Sequence, residues 1–221
     1  MNAPMPYTEM ATAGAFTTDQ VARLLGVETK EVRSWLQGQA PLILSDYEPV
    51  EHRRLLSFEG LIEARVIAYL LESGLGRPRL RGLMQHLRAK TEQRHPLARR
   101  DAISTTGDRV FEKDGERFVN LLNDCYADAV LLRPALRGHV AYDGARALYL
   151  EPDPKVFPLV RIDPRRAFGR PVVVEGAVAV PTATLAEAAT HEGQSGAADW
   201  YGVSAEAVRQ AVDFEKHSAA A

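Results

Sequence analysis

The sequence lacks the features of disulfide-bonded, secreted and membrane-spanning proteins. It has one cysteine in 221 residues, which excludes an intrachain disulfide framework and a cysteine-rich metal site. Residues 1–7 contain neither the basic segment nor the apolar segment of a secretory signal. The longest strongly apolar run, Val66 to Leu71, is too short to span a bilayer. We therefore expect a cytoplasmic protein with no membrane partner.

The chain also lacks an excess of charge of one sign. Its net charge is -2, with 46% hydrophobic and 25% charged residues, as in ordinary globular domains. Any affinity for nucleic acid must therefore come from a local patch. One stretch is strongly basic: eight basic residues and one acid, Glu92, give it a net charge of +7. This pattern predicts either a phosphate-facing surface or a solvated helix face; the basic residues are Arg77, Arg79, Arg81, Arg88, Lys90, Arg94, Arg99 and Arg100.

Motifs for catalysis are missing as well. His191-Glu192 is not followed by the second histidine of a metalloprotease helix. The glycines between Gly74 and Gly82 do not have the spacing of a phosphate-binding loop. Cys125 has no basic neighbour to activate it, so we expect a buried structural thiol. The sequence therefore predicts no enzyme, and no catalytic residue, metal or cofactor.

The predicted fold is α+β, with helical units at both ends and β structure between them. In the N-terminal part, Thr17 and Gln20 fit a capping box and Gly26 fits a tight turn. Ser57 is placed to cap a long helix that Gly74 ends. Two short segments, Pro41–Leu44 and Arg53–Leu56, are candidates for a small wing. A further helix, opened by Pro78, is expected to end before His95-Pro96.

Beyond residue 106 the pattern favours hairpins and then helices. Two Asp-Gly pairs, Asp114-Gly115 and Asp143-Gly144, predict hairpin turns, with a helix between them from Asp124 to Leu132. The predicted domains are 16–105 (winged helix-turn-helix), 106–162 (β-containing connection) and 163–217 (C-terminal domain). The last includes a strand or hairpin and two helical stretches, predicted at Val172–Val180, Thr184–His191 and Ala197–Lys216.

An internal repeat is the most informative feature. Residues 21–36 align with residues 197–212, and the shared pattern is Ala-x3-Gly-x5-Val. A helix-turn-helix needs a small residue where its helices cross, a glycine in the turn and an apolar wedge. The alternative is a helical hairpin that never contacts DNA. We favour it for the C-terminal copy because its expected outward positions, Ser204, Ala205, Glu206 and Gln210, offer little positive charge. The identical pairs are Ala22/Ala198, Gly26/Gly202, Val27/Val203, Val32/Val208 and Arg33/Arg209.

The N-terminal copy is predicted to place its second helix in the major groove of DNA. Arg33 has the chemistry for a bidentate contact to guanine, and Gln37 for one to adenine. Arg77, Arg79 and Arg81 are expected to add phosphate contacts. The other side chains expected to face outward are Thr29, Lys30 and Ser34.

The order of these pieces resembles a known family. Ser57 to Val66, read Ser-Phe-Glu-Gly-Leu-Ile-Glu-Ala-Arg-Val, is similar to the Ser-Phe-x-x-Leu helix of MerR-like winged helix-turn-helix proteins. His95-Pro96-Leu97 follows where a related antitoxin subgroup has it. The segment from Asp163 to Val173 resembles the opening of a small domain of unknown function. That domain continues with motifs similar to Pro181-Thr182, Gly193-Gln194-Ser195 and Tyr201-Gly202-Val203-Ser204.

Proteins that join these two halves resemble VapB-type antitoxins of type II toxin–antitoxin systems, whose partners are PIN-domain ribonucleases. The resemblance implies an antitoxin that neutralises such a toxin and represses its own operon by binding operator DNA. We expect a homodimer, because symmetric operators match two-fold proteins. The helix Phe58–Leu71 is apolar on more than one face and is a candidate for part of the dimer interface. Two modes of inhibition remain open. Arginines of this chain pair with the catalytic carboxylates of the toxin, or its aromatic residues cover the toxin's active site. The alternative is a stand-alone MerR-like regulator that senses a small molecule. The expected toxin-binding residues are Arg165, Arg166, Arg170, Trp200, Tyr201 and Phe214.

Overall fold

The computed structural model describes residue 6 and residues 9–50, 53–72, 74–99 and 139–220. Four predictions lie outside the described residues. They concern the Asp114-Gly115 hairpin, the helix from Asp124 to Leu132, the thiol of Cys125 and the position of Arg100.

The described residues form an α+β fold, as predicted. The helices are α1 (Met10–Ala13), α2 (Thr18–Leu25), α3 (Thr29–Trp35), α4 (Phe58–Glu72), α5 (Arg77–Thr91), α6 (Thr182–Tyr201) and α7 (Ala205–Ala220). Short 3-10 turns lie at Pro96–Ala98 and Ala167–Gly169. The strands are β1 (Phe16–Thr17), β2 (Leu55–Leu56), β3 (Val140–Asp143), β4 (Arg146–Leu150), β5 (Val160–Ile162), β6 (Pro171–Glu175) and β7 (Val178–Pro181).

Helix α2 starts at the predicted capping box. The backbone N–H of Gln20 donates to Thr17 Oγ1 at 3.2 Å, and the Thr17 N–H donates to Gln20 Oε1 at 2.8 Å. Both N–H groups would otherwise lack partners at the helix end. These two hydrogen bonds fix where α2, the first helix of the helix-turn-helix, begins.

The wing differs from its prediction. Leu55–Leu56 does not pair with Pro41–Leu44; it pairs antiparallel with β1, through Phe16↔Leu56 and Thr17↔Leu55. An isolated bridge, Val50↔Arg53, precedes β2. Strand β1 leads directly into α2, so the pairing ties the wing to the start of the helix-turn-helix.

Helix α4 is the centre of the N-terminal core. Leu61, Ile62 and Ile67 are fully buried within one chain. The sequence left this helix as a candidate homodimer interface because it is apolar on more than one face. That assignment is wrong, since these faces are buried within the chain, where α2, β2 and the 3-10 turn at Pro96–Ala98 contact the helix. The buried α4 residues are Phe58, Gly60, Leu61, Ile62, Glu63, Ala64, Val66, Ile67, Ala68 and Leu70.

The second sheet is an antiparallel meander in the order β3-β4-β5-β6-β7. Asp143-Gly144 forms the predicted β3–β4 turn, and β6–β7 is the predicted hairpin. Strand β5 pairs with β6 across the predicted domain limit at residue 163, through Val160↔Val173. The connecting region and the C-terminal domain therefore share one sheet.

Two hydrophobic clusters stabilise the fold. The first joins α2 to α5 with residues of β3, β4 and β5, including Leu150 and Ile162. The second joins β5, β6 and β7 with α6 and α7 and contains Val160, Val173 and Val208. Leu24 of α2 packs against both clusters. The two helical ends of the chain therefore meet at this side chain.

Candidate nucleic-acid interface

The two repeat copies have the same turn geometry. Gly26 lies at φ 68°, ψ 31°, and Gly202 at φ 64°, ψ 40°. In each copy the residue after the glycine donates its N–H to the carbonyl of the alanine that both copies share: Val27 to Ala22 O, and Val203 to Ala198 O, both at 3.1 Å. This left-handed region favours glycine because a side chain clashes there. The repeat seen in the sequence is therefore a repeat in structure.

The helix crossing in each copy is built as predicted. Ala22 is 2% exposed, and Val32 and Trp35 are buried against it. Ala198 and Val208 are buried at the equivalent places in the second copy. Small and β-branched side chains at the crossing let each pair of helices approach closely.

Three of the five contact residues predicted for the second helix are exposed. Lys30 and Arg33 lie on α3 and Gln37 lies just after its end, whereas Thr29 and Ser34 are half-buried. The Ser34 hydroxyl donates to the Glu31 carbonyl at 2.7 Å, so it is already committed to its own helix. Fewer side chains are therefore exposed here than the sequence predicts.

Carboxylates pair with the cations on this surface. Lys30 Nζ lies 2.5 Å from Glu28 Oε2, and this contact raises the pKa of Lys30. Arg33 Nη2 lies 3.1 Å from Asp19 Oδ1, and Arg77 Nη2 lies 3.2 Å from Glu31 Oε1. Such exposed pairs are weak and screened by salt, so phosphates can replace the carboxylates. The Arg33–Asp19 pair also joins α3 to α2, and the Arg77–Glu31 pair joins α5 to α3.

Two wing arginines extend this surface, and the prediction of contact residues missed them. Arg53 and Arg54 line a groove of about 370 Å³ together with Arg33 and Gln37. Arg54 also donates to the Leu36 carbonyl at the end of α3. In the sequence, the adjacent residues Arg53 and Arg54 open the segment predicted as part of the wing, and this pair could have indicated both as contact residues. We define the α3–wing surface as Lys30, Arg33, Gln37, Arg53, Arg54 and Arg77.

The basic stretch after residue 77 does not face outward as a whole. Arg88 is half-buried and donates to the carbonyls of Pro41, Leu42 and Arg94. Arg94 donates to the Ser45 carbonyl. These two arginines hold the loop before the wing. The exposed members of the described stretch are Arg77, Arg79, Arg81 and Lys90.

A buried charge cluster lies beneath this loop. His95 Nε2 is 2.6 Å from Asp46 Oδ1, and His95 Nδ1 is 2.9 Å from Glu63 Oε2. Arg88 Nη2 also reaches Glu63 Oε2, at 3.2 Å. We call these four residues, Asp46, Glu63, Arg88 and His95, the buried charge cluster. It ties the wing loop to α4 and α5.

The cluster perturbs the titration of its members. Burial opposes charge on His95 most strongly, but Asp46 and Glu63 outweigh it and raise the pKa of His95 to about 10. Burial also disfavours the Asp46 carboxylate, yet His95 and the Ser57 N–H, at 2.7 Å, lower the pKa of Asp46. The imidazolium form of His95 is therefore the one that satisfies both carboxylates.

The second helix-turn-helix copy has a different surface. Arg209, equivalent to Arg33, is held between Glu206 at 2.6 Å and Asp213 at 3.3 Å. The sequence placed Gln210 on the outward face, which is wrong: it is 4% exposed and accepts the Leu159 N–H at 3.0 Å. Because two carboxylates pair with Arg209, these three side chains together have a net charge of -1.

The six predicted toxin-binding residues fall in different environments. Arg165 and Arg166 both pair with Asp163, at 3.0 and 3.7 Å, and Arg170 is exposed beside α2. Trp200 is 82% exposed, whereas Tyr201 is half-buried. Phe214 is only 4% exposed and packs edge-on against Phe157 at 5.3 Å, so it cannot be a docking anchor.

Two classes of site are absent from the part of the chain that is described. None of its helices combines the length and apolarity needed to cross a bilayer. No group of three His, Cys, Asp or Glu side chains within it is arranged to hold a metal ion.

Comparisons with known proteins give a fold but no family. No family model matches the chain, and no curated protein matches it. The crystal structure of Rv2018 from Mycobacterium tuberculosis is similar, with a TM-score of 0.65 at 22% sequence identity. The match covers 90% of this chain and 97% of that one. The fold of most of this chain therefore occurs in that protein as well.

Proposed function

We propose that this chain is a DNA-binding regulatory protein that reads its operator with α3. The observation that carries the proposal is the α3–wing surface. It combines Arg33, on the second helix of a helix-turn-helix, with Gln37, just after that helix, and both side chains are suited to base edges. A wing arginine, Arg53, lies beside them, and its guanidinium makes no ion pair within the described residues.

Charge supports this surface as the DNA side. Its five cations outnumber the three carboxylates paired with them, which leaves a net charge of +2 in a chain of net -2. Phosphates that displace those carboxylates would gain charge-assisted hydrogen bonds from guanidinium groups. The second copy has the same backbone but no such excess, which favours the first copy as the reader.

The repeat supplies a matched control for the test. Arg33 and Arg209 occupy equivalent positions, but Glu206 and Asp213 hold Arg209. We expect Arg33→Ala to lower affinity for the DNA upstream of the gene about 5- to 150-fold in a gel shift, as for loss of a bidentate base contact. Arg209→Ala should leave affinity unchanged. Equal affinity for wild type, Arg33→Ala and Lys30→Ala would refute the proposal.

We further propose, from the resemblance to VapB-type antitoxins, that the C-terminal half binds and neutralises a PIN-domain ribonuclease. Trp200 favours this role because it is a large aromatic side chain left 82% exposed at the end of α6. Tryptophan and arginine are frequent energetic centres of protein interfaces. Arg165 and Arg166 lie in the same half of the chain. Both pair with Asp163, but their side chains remain exposed.

Point substitutions suit the test better than truncation, because removing residues after Leu159 would delete β5 from the sheet. The chain is co-expressed with the product of the adjacent gene. We expect wild type to rescue growth and co-purify with that product, and Trp200→Ser to fail in both. Val156→Ser, at another exposed apolar residue, is the control. Full rescue by Trp200→Ser would overturn the assignment of this residue. An adjacent product without toxicity would favour the stand-alone regulator.

A further inference from the structure

A cleft of about 230 Å³ lies where the two helical ends of the chain meet. Helix α2 forms one side, and α7 with the start of β6 and the first turn of α6 forms the other. Its lining is mixed. Phe16, Leu24 and Phe214 supply apolar surface, and Arg23 and Arg170 supply positive charge.

Both arginine side chains are exposed, and within the described residues neither guanidinium group makes an ion pair or a hydrogen bond. By contrast, Arg33 and Arg77 on the neighbouring α3–wing surface each hold a carboxylate. Arg23 and Arg170 come from distant parts of the sequence, and the fold brings them to one cleft. Their donors are therefore available to an anion that enters it.

One acid also lines the cleft, but it is committed. Glu215 Oε1 accepts the Thr182 hydroxyl at 2.5 Å, and no ion pair joins Glu215 to either arginine in the described structure. Two guanidinium groups and one carboxylate leave a net charge of +1. This balance fits a ligand with a single anionic group and an apolar body.

We propose that this cleft binds a small organic anion. Arg23 and Arg170 hold its carboxylate or phosphate, and Phe16, Leu24 and Phe214 contact its apolar part. Guanidinium groups suit both anions because their paired N–H donors match two oxygens of either one. The volume is below the range of about 300–1,000 Å³ of sites for drug-sized ligands, so the ligand is smaller than a nucleotide.

The position of the cleft connects this ligand to the DNA-binding unit. Arg23 belongs to the first helix of the helix-turn-helix, whereas Arg170 directly precedes strand β6 of the C-terminal unit. An anion held by both would fix α2 against α7, where Leu24 already joins the two hydrophobic clusters. Its effect on operator affinity rests on the proposed function, but its binding does not.

The binding test uses three aromatic probes of similar size and no DNA. Benzoate and phenyl phosphate carry the two candidate anions, and benzamide is the neutral control. Binding to the full chain is followed by isothermal titration calorimetry and by NMR chemical shifts. We expect both anions, and not benzamide, to bind and to shift signals of α2 and α7. The stronger of the two identifies the ligand as a carboxylate or a phosphate.

Matched substitutions decide whether the arginines are responsible. Arg23→Gln and Arg170→Gln should each weaken anion binding at least tenfold. Lys155→Gln, which makes the same charge change at an exposed loop, should not. Arg23→Lys keeps the charge without the paired donors and should show an intermediate loss, even if a glutamine variant folds poorly. Equal binding of benzamide, unchanged affinity in the glutamine variants, or no binding of either anion would overturn the proposal. In a separate arm, a bound anion that alters wild-type operator affinity but not that of Arg23→Gln would support coupling.

Discussion

The buried charge cluster makes stability depend on pH in an unusual range. His95 is 3% exposed, and Asp46 and Glu63 raise its pKa to about 10 against an ordinary 6.5, despite the opposing effect of burial. A raised pKa means that the folded state keeps a proton which the unfolded chain loses. The stabilisation is therefore complete below pH 6.5 and is lost as pH rises toward 10.

The magnitude follows from linkage. Between these two pKa values the free energy of unfolding falls by about 1.4 kcal/mol per pH unit, so the loss from pH 7 to pH 9 is about 2–3 kcal/mol. Replacing His95 by glutamine removes this pH dependence. It also leaves two buried carboxylates with only Arg88 as cation, at a cost on the order of 3–5 kcal/mol at pH 7.

The assay is urea unfolding at pH 7, 8 and 9. Trp200→Phe serves as the background, so that the buried Trp35 is the fluorescent reporter of the N-terminal core. The difference in stability between wild type and His95→Gln should shrink by about 2–3 kcal/mol across this range. His191→Gln, at an exposed histidine, should leave the pH dependence unchanged. A difference that is independent of pH would refute the reasoning.

If His95→Gln does not fold, the wild-type chain still permits a direct test. The ring nitrogens of His95 should report an imidazolium by NMR at pH 8.5. A neutral ring at that pH would contradict the geometry of the cluster.

The remaining predictions concern the turn, the basic stretch and assembly. Gly26→Ala forces a side chain into φ 68°, so it should lower the free energy of unfolding by about 1–2 kcal/mol in urea titrations, without a steric clash. Salt titration of DNA binding should give a slope near about -3 per protomer, from about three phosphate contacts. Arg81→Ala should reduce that slope by about 1, whereas Arg88→Ala should lower stability and leave the slope unchanged. Light scattering should report a homodimer at micromolar concentration, and a clean monomer would contradict it.

The parts of the fold that sequence predicted are those set by neighbouring residues. The capping box at Thr17, the turn at Gly26 and the hairpin at Asp143-Gly144 each depend on a few adjacent positions. The repeat was also visible, because two copies of one local solution share their sterically required residues. Fold class and helix order followed from these local patterns.

Interactions between distant residues could not be predicted in the same way. Charge counting placed Arg88 on an outward face, but it turns inward because three carbonyls and Glu63 need a donor. The pairing of β2 with β1 joins residues about forty positions apart. Nothing in a single sequence distinguishes an arginine that binds phosphate from one that holds a loop. The candidate contact surface therefore changed more than the fold did.

Leu24 has a consequence for how the molecule unfolds. Its partly buried side chain packs against both hydrophobic clusters. Loss of the C-terminal helices would open the N-terminal cluster to water at that point, and the reverse is equally true. The two clusters should therefore melt in a single cooperative transition, so that damage at either end of the chain is felt by the whole protein.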